Sequence, residues 1–324
     1  MNYNKIELNK MAQELHVPRD MLEKVLRLSE ILDNFEHSPI LKNQLALKGG
    51  TAINLMIFPL PRLSTDIDVD LIESASGYSK EMLQEKKTEL RREIVGSLQN
   101  LGYVLEPKSR NSFALDSFLF RYTNAVGNKD RIKLDLNYSL RQHIFPVCKC
   151  TSVFKTIPLF STSMINPIEI YAAKTVAVTS RTAPRDLYDM NFFIKNAKLP
   201  KESEELYRKA TIFYMAVSSV KTPLSLQLDK IDEITSNMVF KGLTPVLTDK
   251  ASFKLDEAKN TVKEFLKKTI VPTPEEALFL EEFSQGKYNP QLLFDSSEII
   301  KRIENHPMAK WKALKNKELE GHST

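Results

Sequence analysis

Length and composition describe a folded protein and exclude several classes. The chain has 324 residues, of which 42% are hydrophobic and 27% are charged, and this suits one large domain or two ordinary ones. No apolar run approaches the roughly 20 residues that a transmembrane helix requires. The polar N-terminus lacks the apolar segment of a signal peptide. We therefore expect a cytoplasmic protein that does not span a membrane.

The net charge of +5 is unevenly distributed along the chain. Residues 1–200 contain 27 basic and 22 acidic residues, whereas residues 201–324 contain 19 of each. An excess of positive charge favours an anionic partner. The first part of the chain is therefore expected to bind a nucleotide or a nucleic acid.

The N-terminal segment is predicted to be helical. Residues 1–36 form helices with a break at Pro18, after which Met21, Val25, Leu28 and Leu32 recur at helical spacing. The following segment, residues 41–48, is predicted to be the end of a helix rather than a strand.

The most informative stretch is residues 48–71, KGGTAINLMIFPLPRLSTDIDVDL. Gly49 and Gly50 permit backbone conformations and close approaches that other residues do not. Thr51 offers a hydroxyl group and a cap for a helix over residues 52–58. A helix start preceded by glycines attracts phosphate through free N–H groups and the helix dipole, so this segment predicts a phosphate seat.

Two carboxylates follow in an alternating segment. Since side chains alternate along a strand, Asp66 and Asp68 project from the same face, and Ser64 points to the same side. Two such acids repel each other unless a positive charge lies between them, and Mg²⁺ with a nucleotide phosphate is the natural partner. The alternative is a solvated strand that carries acids by chance. The succession of GGT and Arg62-x-Ser64-x-Asp66-x-Asp68 favours the metal site.

These motifs resemble a known family. The stretch is similar to the nucleotidyltransferases that share the palm of DNA polymerase beta, and more narrowly to the AbiEii-type toxins of type IV toxin–antitoxin and abortive-infection systems. Those toxins carry GGTA followed by R-x-S-x-D-I-D, and the likeness is strongest over residues 47–71 and 166–193. It implies an α+β fold, in which a polymerase beta-like palm, a mixed sheet flanked by helices, precedes an all-helical C-terminal domain.

The resemblance also suggests a division into domains. Residues 1–36 would pack as helices on the palm, residues 37–200 would form the nucleotidyltransferase domain, and residues 201–324 would form the helical domain. Within the last part we predict helices over residues 203–220, 224–234, 249–268, 273–285 and 290–304. Trp311 lies in a basic tail that forms either a partner or RNA surface or the end of a packed helix.

A third carboxylate is expected on a neighbouring strand. A charged helix is predicted over residues 79–100, with Met82, Leu90, Ile94, Val95 and Leu98 on its buried side. Strands are predicted over residues 103–105, 113–115 and 118–122. In the alternating segment 131–138, Lys133, Asp135 and Asn137 share one face.

Asp135 corresponds to the third acid of the palm in the family that the chain resembles. It would serve as a metal ligand or as the base that takes a proton from the attacking hydroxyl group. The alternative is an acid on a solvated sheet face.

The second strong stretch begins with a helix over residues 168–180, with Ile170, Ala173, Val176 and Ala177 facing inward. Lys174 stands among these apolar neighbours, where a lysine either reaches out to solvent or points at an anion in a cleft. The family resemblance implies that Lys174 faces the nucleotide phosphates.

Another helix is predicted to begin at Pro184. Asp186 and Asp189 share one face of it, and the resemblance implies that they orient Lys174 or an arginine. Arg181 and Arg185 would hold the triphosphate or the acceptor backbone. Alternatively, they form an internal salt-bridge network with the acids.

The expected reaction is the transfer of a nucleoside monophosphate from an NTP, with release of pyrophosphate. Asp66 and Asp68 would hold Mg²⁺, with Mn²⁺ as the alternative metal. Gly49, Gly50 and Thr51 would seat the phosphates, with Arg62 and Ser64 beside them. The resemblance implies a toxin that modifies RNA, with the 3′ end of tRNA as the expected acceptor. It also implies a cognate antitoxin. The alternatives are transfer to a protein or small molecule, as in antibiotic modification, and a palm that binds nucleotide without catalysis.

Overall fold

The chain folds as two compact units. The computed structural model describes residues 3–59, 62–73, 77–154, 159–197, 201–219, 222–248 and 253–321. The first unit comprises Met1–Arg141, Val147–Ile165 and Pro245–Asp249, and the second comprises Gln142–Pro146, Asn166–Thr244 and Lys250–Thr324. The domain limits predicted at residues 36/37 and 200/201 stay predictions.

The first unit begins with two helices, α1 (Lys5–Glu14) and α2 (Arg19–His37). Pro18 precedes α2 in an extended conformation. Proline suits a helix start because it has no backbone N–H to donate, and the N–H groups there have no partner within the helix. Val25, Leu28 and Leu32 are buried, as their spacing predicts.

An eight-stranded mixed sheet forms the body of the first unit. Its spatial order is β3-β5-β6-β2-β1-β8-β7, with β4 paired to β5. The β2–β6 and β1–β8 pairs are parallel and the others are antiparallel. The strands are β1 (Leu45–Lys48), β2 (Asp66–Leu71), β3 (Val104–Leu105), β4 (Arg110–Asn111), β5 (Leu115–Thr123), β6 (Lys129–Asn137), β7 (Cys148–Thr151) and β8 (Ser161–Met164).

The two faces of the sheet differ in chemistry because side chains alternate along each strand. One face is apolar and buried, with Ile67, Val69 and Leu134 among its residues. Helix α4 (Lys80–Asn100) packs on this face, where Arg91 forms three hydrogen bonds with the buried Asp116. The opposite face carries the acids of β2 and is called the polar face below.

Two local predictions in the first unit are wrong. Residues 45–48 form strand β1 rather than the end of a helix, because the segment pairs with β2 on one side and β8 on the other. Phe113 is not in a strand but in the turn between β4 and β5. The first error reflects partners distant in sequence, whereas the second reflects a tight turn between two neighbouring strands.

The predicted buried side of α4 is partly wrong. Leu90, Ile94 and Leu98 are buried, but Met82 is 50% exposed and Val95 is only half-buried. Leu83 and Lys87 are buried instead. In the first half of the helix, the buried side is therefore formed by other residues than predicted, and one of them is the charged Lys87.

The second unit is helical. Among its helices are α5 (Pro167–Ser180), α6 (Pro184–Asn196), α7 (Lys201–Ser218), α8 (Asp229–Asp232), α9 (Ser236–Gly242), α10 (Leu255–Thr269), α11 (Pro274–Ser284), α12 (Ser297–Ile303) and α13 (Pro307–Gly321). Its core includes an aromatic cluster of Tyr171, Phe193, Tyr207 and Phe265. No helix in the described part of the chain is long and apolar enough to cross a membrane.

The C-terminal predictions hold for the longer helices. Thr273 caps α11 through a reciprocal pair of hydrogen bonds with Glu276. The segment predicted as one helix over residues 224–234 contains only the short α8, and that over residues 290–304 is a 3₁₀ turn followed by α12. Ala173 is exposed rather than inward, and Trp311 is half-exposed on α13. Residues 220 and 249–252, at the ends of two predicted helices, lie outside the described residues.

Candidate active site

The glycine pair connects β1 directly to a short helix. Helix α3 (Gly49–Ala52) continues as a π-helical turn, Ile53–Ile57. Gly49 has a φ of +69°, and a Cβ atom there would lie 2.6 Å from Oδ2 of Asp68. Both the left-handed backbone and this close approach require glycine. The backbone at Gly49 and Gly50, called the glycine turn below, therefore lies directly against the carboxylate of Asp68 on β2, the acid strand.

Gly50 packs against the segment that leads into β2. A Cβ atom at Gly50 would lie 2.6 Å from Nη2 of Arg62 and 3.1 Å from Oγ of Ser64. Arg62 is buried, and its Nη1 donates to the carbonyl of Leu63 at 2.9 Å. The residues of GGT and R-x-S therefore lie side by side, as the family resemblance suggests.

Asn54 is a residue of this site that the sequence analysis missed. Its Nδ2 donates to the carbonyl of Gly50 at 2.6 Å, and its Oδ1 accepts from the backbone N–H of Arg62 at 3.3 Å. The side chain is fully buried. A lone amide in the apolar run INLMIF was the available signal, since a buried polar group needs partners.

Thr51 does not cap a helix, which corrects the prediction. The helix begins at Gly49, and no side chain caps it. The buried Thr51 hydroxyl instead donates to the carbonyl of Asp66 at 2.5 Å and lies 2.9 Å from Oγ of Ser64. Thr51 thus fixes the glycine turn to the start of the acid strand.

The strand register brings three carboxylates onto the polar face. In the parallel pair β2–β6, Asp68 stands opposite Asp135 and Asp66 stands opposite Lys133. Oδ1 of Asp135 accepts a hydrogen bond from Oγ of Ser117 at 2.6 Å. Its Oδ2 accepts one from Nζ of Lys133 at 2.5 Å. Asp135 is thereby held in one orientation beside the acid pair.

Lys133 supplies positive charge to this cluster, a role that the sequence analysis did not assign. Burial alone would lower the pKa of Lys133. The hydrogen bond and charge of Asp135, with the charges of Asp68 and Asp66, outweigh burial and raise that pKa above its usual value. The ammonium group therefore partly balances three acids without any ligand.

A second lysine, on the neighbouring strand β1, forms an ion pair with an acid of β2. Lys48, at the end of β1, forms a salt bridge with the buried carboxylate of Asp70. Asp70 follows Asp66 and Asp68 on the same face. Sequence reasoning missed this pair because it depends on the β1–β2 register.

The donor set fits a metal ion whose coordination shell a nucleotide completes. Within the described ranges, no group of three or more His, Cys, Asp or Glu side chains could hold a metal ion on its own. Asp66 and Asp68 nevertheless offer hard oxygen ligands on one face. Mg²⁺ commonly uses one or two carboxylates with substrate phosphates rather than an all-protein cage.

The second unit contains a cluster of its own around Lys174. The side chain neither reaches solvent nor lies among apolar groups alone. Nζ lies 2.9 Å from Oδ1 of Asp186 and 3.1 Å from Oδ2 of Asp189, and all three side chains are buried. The structure thus brings together Lys174 and the two acids that the resemblance assigns to it.

The two arginines of this region have different contacts. Arg181 binds both carboxylate oxygens of Asp186, with Nε at 2.7 Å from Oδ2 and Nη2 at 3.2 Å from Oδ1. Burial would raise the pKa of Asp186, but Lys174 and Arg181 outweigh it and lower that pKa. Arg185 Nε donates to the carbonyl of Gly242 at the end of α9. These contacts match the salt-bridge alternative for Arg181 and add a helix-end contact for Arg185.

The mixed sheet, the glycine turn and the acid pair define the class of protein, which is a nucleotidyltransferase. The model of the AbiEii nucleotidyl transferase toxins of type IV toxin–antitoxin systems matches residues 31–284. This is most of the chain, so the chain belongs to that family. Membership implies an NTP substrate, a divalent metal ion and an antitoxin.

A solved structure has the same fold. It is the nucleotidyltransferase toxin MenT4 from Mycobacterium tuberculosis H37Rv, with a TM-score of 0.58 and 15% identity over 90% of this chain and 94% of that one. A comparison with curated proteins gives no match. The α+β fold with its C-terminal helices is therefore confirmed.

Proposed function

We propose that this toxin transfers a nucleoside monophosphate from an NTP to RNA in the cytoplasm, with Mg²⁺ as the metal and the 3′ end of tRNA as the acceptor. A cognate antitoxin would neutralise it. The observation that carries the proposal is the register that sets Asp66, Asp68 and Asp135 on one sheet face. The glycine turn lies directly against this face at Asp68.

The acid pair and the glycine turn would divide the nucleotide between them. Asp66 and Asp68 would hold the metal ion, which supplies charge neutralisation on the triphosphate and the leaving pyrophosphate. Gly49 and Gly50 keep the turn free of side chains, so phosphates can approach the backbone. Ser64 can donate to a phosphate oxygen, and Arg62 adds positive charge next to Gly50.

Asp135 is suited to act on the acceptor. Ser117 and Lys133 fix its two oxygens. A carboxylate in a fixed orientation can accept the proton of an attacking hydroxyl group or join the metal ligands. Its position opposite Asp68 supports either role.

The role of Lys174 toward the nucleotide rests on the family resemblance. Asp186 and Asp189 would hold its ammonium group in place, and Arg181 would hold Asp186. In this proposal Lys174 contacts phosphate, while the acids and Arg181 position it. Arg185 would support the same region through α9.

A transfer assay tests the proposal. Purified protein and Mg²⁺ are incubated with tRNA and each α-³²P-labelled NTP in turn, alongside Asp66→Ala and Lys174→Ala. We expect label in tRNA with wild type, and its loss in both variants. Label in a protein or small molecule instead would overturn the acceptor. If no label is transferred while NTP still binds, the chain is a nucleotide-binding module and the proposal is wrong.

A further inference from the structure

A basic cleft lies on the polar face of the first unit. Its volume is about 450 Å³, and it is lined by the basic side chains Lys108, Arg110 and Lys133. Among the described residues that line it, none is acidic. Basic side chains gathered around a concave surface raise the local concentration of anions. The cleft is therefore suited to a phosphate-bearing ligand.

The other residues that line the cleft lead to the third carboxylate. They are two serines and two leucines, Ser112, Ser117, Leu115 and Leu119. The hydroxyl group of Ser117 donates to one oxygen of Asp135, and Lys133 binds the other. A ligand that fills the cleft would therefore bring one end to Asp135, where the acceptor hydroxyl is expected to react.

An exposed aromatic side chain lies on the turn that also carries Ser112 of the cleft, with Nζ of Lys87 5.4 Å from the centre of its ring. Phe113 follows Ser112 in the turn between β4 and β5, and 71% of it is exposed. Basic grooves with neighbouring aromatic rings are how proteins bind single-stranded nucleic acid, with the backbone on the charges and a base on the ring. An acidic peptide would use the charges but would have no need of the ring.

The turn that carries Phe113 is held rigidly. Nζ of the buried Lys87 donates to the carbonyls of Ser112 and Phe113 at 2.9 Å and 3.0 Å. The backbone N–H of Ser112 donates to the carbonyl of Leu115 at 2.9 Å. Burial lowers the pKa of Lys87, so the fold keeps a costly buried amine whose hydrogen bonds fix this turn. The exposure of Phe113 is thus part of a fixed local structure.

We propose that the basic cleft and Phe113 bind the single-stranded end of the acceptor RNA. Lys108 and Arg110 contact its phosphates, and a base stacks on the ring of Phe113. Lys133 lies where the RNA end meets Asp135. This inference rests on the proposed function for the identity of the acceptor, but the binding itself requires neither NTP nor metal.

Binding to a short, fluorescein-labelled single-stranded RNA, measured by anisotropy without NTP or Mg²⁺, tests the proposal. Lys108→Gln/Arg110→Gln should raise Kd about tenfold and reduce the slope of log K against log salt by about 1.4, since each single-strand phosphate contact contributes about 0.7. Phe113→Ala should raise Kd about tenfold with an unchanged salt slope, because stacking is not ionic.

Matched controls separate the cleft from general charge. Lys42→Gln/Lys80→Gln removes two exposed lysines of the same unit, and Ile6→Ala truncates an exposed apolar side chain. Both should leave Kd unchanged. Equal weakening in the controls and the cleft variants, or no weakening in the cleft variants, would overturn the proposal. Wild type that binds an acidic peptide in place of RNA would also overturn it.

The transfer assay distinguishes failure of this inference from failure of the proposed function. If tRNA is labelled, the cleft variants should raise KM for tRNA far more than they lower kcat. If tRNA is labelled but KM is unaltered in these variants, the proposed function stands and the role of the cleft is overturned. If RNA binding depends on the cleft but nothing is transferred to RNA, the role of the cleft stands and the proposed function is overturned.

Discussion

Two acid–lysine clusters, one in each unit, use similar residues in different surroundings. On the polar face of the sheet, Lys133 lies beside Asp135, and their side chains are 48% and 18% exposed. In the helical unit, Lys174 lies between Asp186 and Asp189, and none of these side chains is more than 9% exposed. The same chemistry therefore occurs once near solvent and once in a core.

This difference in exposure decides whether a ligand can take the place of the lysine beside its carboxylate. A partly exposed lysine can leave its carboxylate for a metal ion or a phosphate at small cost, because exposed ion pairs contribute little to stability. A buried pair cannot lose a partner without leaving an unpaired charge, which is strongly destabilising. We expect the first cluster to govern activity with little effect on folding, and the second to be needed for folding as well as for the phosphate contact proposed for Lys174.

The largest expected effect is on activity at the acid pair. Asp68→Asn should lower the transfer rate at least about a hundredfold, because the metal ion contributes several kcal/mol of charge stabilisation. The free energy of unfolding should change by less than about 1 kcal/mol. Transfer assays and urea denaturation measure the two, with Asp33→Asn on α2 as a control of equal charge change. Retained activity in Asp68→Asn would remove the acid pair from the mechanism.

The next effect is on folding in the second cluster. Asp189→Ala should lower the free energy of unfolding by about 3 kcal/mol, the lower end for a broken buried pair, since Asp186 still faces Lys174. Urea denaturation measures this loss. Combining Lys174→Met with Asp189→Leu should recover much of it, because apolar residues of similar size replace the charges. A fully stable Asp189→Ala would show that the two clusters do not differ.

A smaller effect is expected at the glycine turn. Gly49→Ala should cost about 1–3 kcal/mol of stability, since it strains a left-handed backbone, and it should lower activity because the new methyl group would displace Asp68. In Gly96→Ala, the added carbon meets open space within α4, so stability should rise by up to about 1 kcal/mol. Thermal denaturation of both proteins checks the contrast, which equal effects would contradict.

The smallest effect is a change in the acid limb of the stability curve. Asp186 has a pKa below its ordinary 3.8 in the folded protein, so its contribution is present above that value and is lost as pH falls through the folded pKa. The difference in unfolding free energy between wild type and Asp186→Asn should be constant down to about pH 5 and shrink below about pH 4. Denaturation at stepped pH measures it. A difference that grows on acidification would reverse the assigned sign.

The sequence was most informative where chemistry and local pattern coincide. Gly49, Gly50, Asp66 and Asp68 could be assigned to one site because strand alternation and glycine geometry are local rules. The buried face of β6 and the capped start of α11 follow similar rules. The family and the fold class could be stated from these motifs.

The remaining features depend on contacts between distant segments. Strand β1 is only four residues long and becomes a strand through β2 and β8. Lys133 gains its role from the register of β6 against β2, and Asn54 from the segment that brings Arg62 back to it. The surroundings of Lys174 come from the next helix. None of these partners can be identified from spacing along the chain.

The lysine beside the acids of the sheet has a consequence for how the toxin is made. Because Lys133 already offsets part of the charge of Asp66, Asp68 and Asp135, the acids of the sheet repel one another less while the chain folds. The newly made chain therefore depends less on a cation to reach its final form, and it can meet its nucleotide or its antitoxin afterwards.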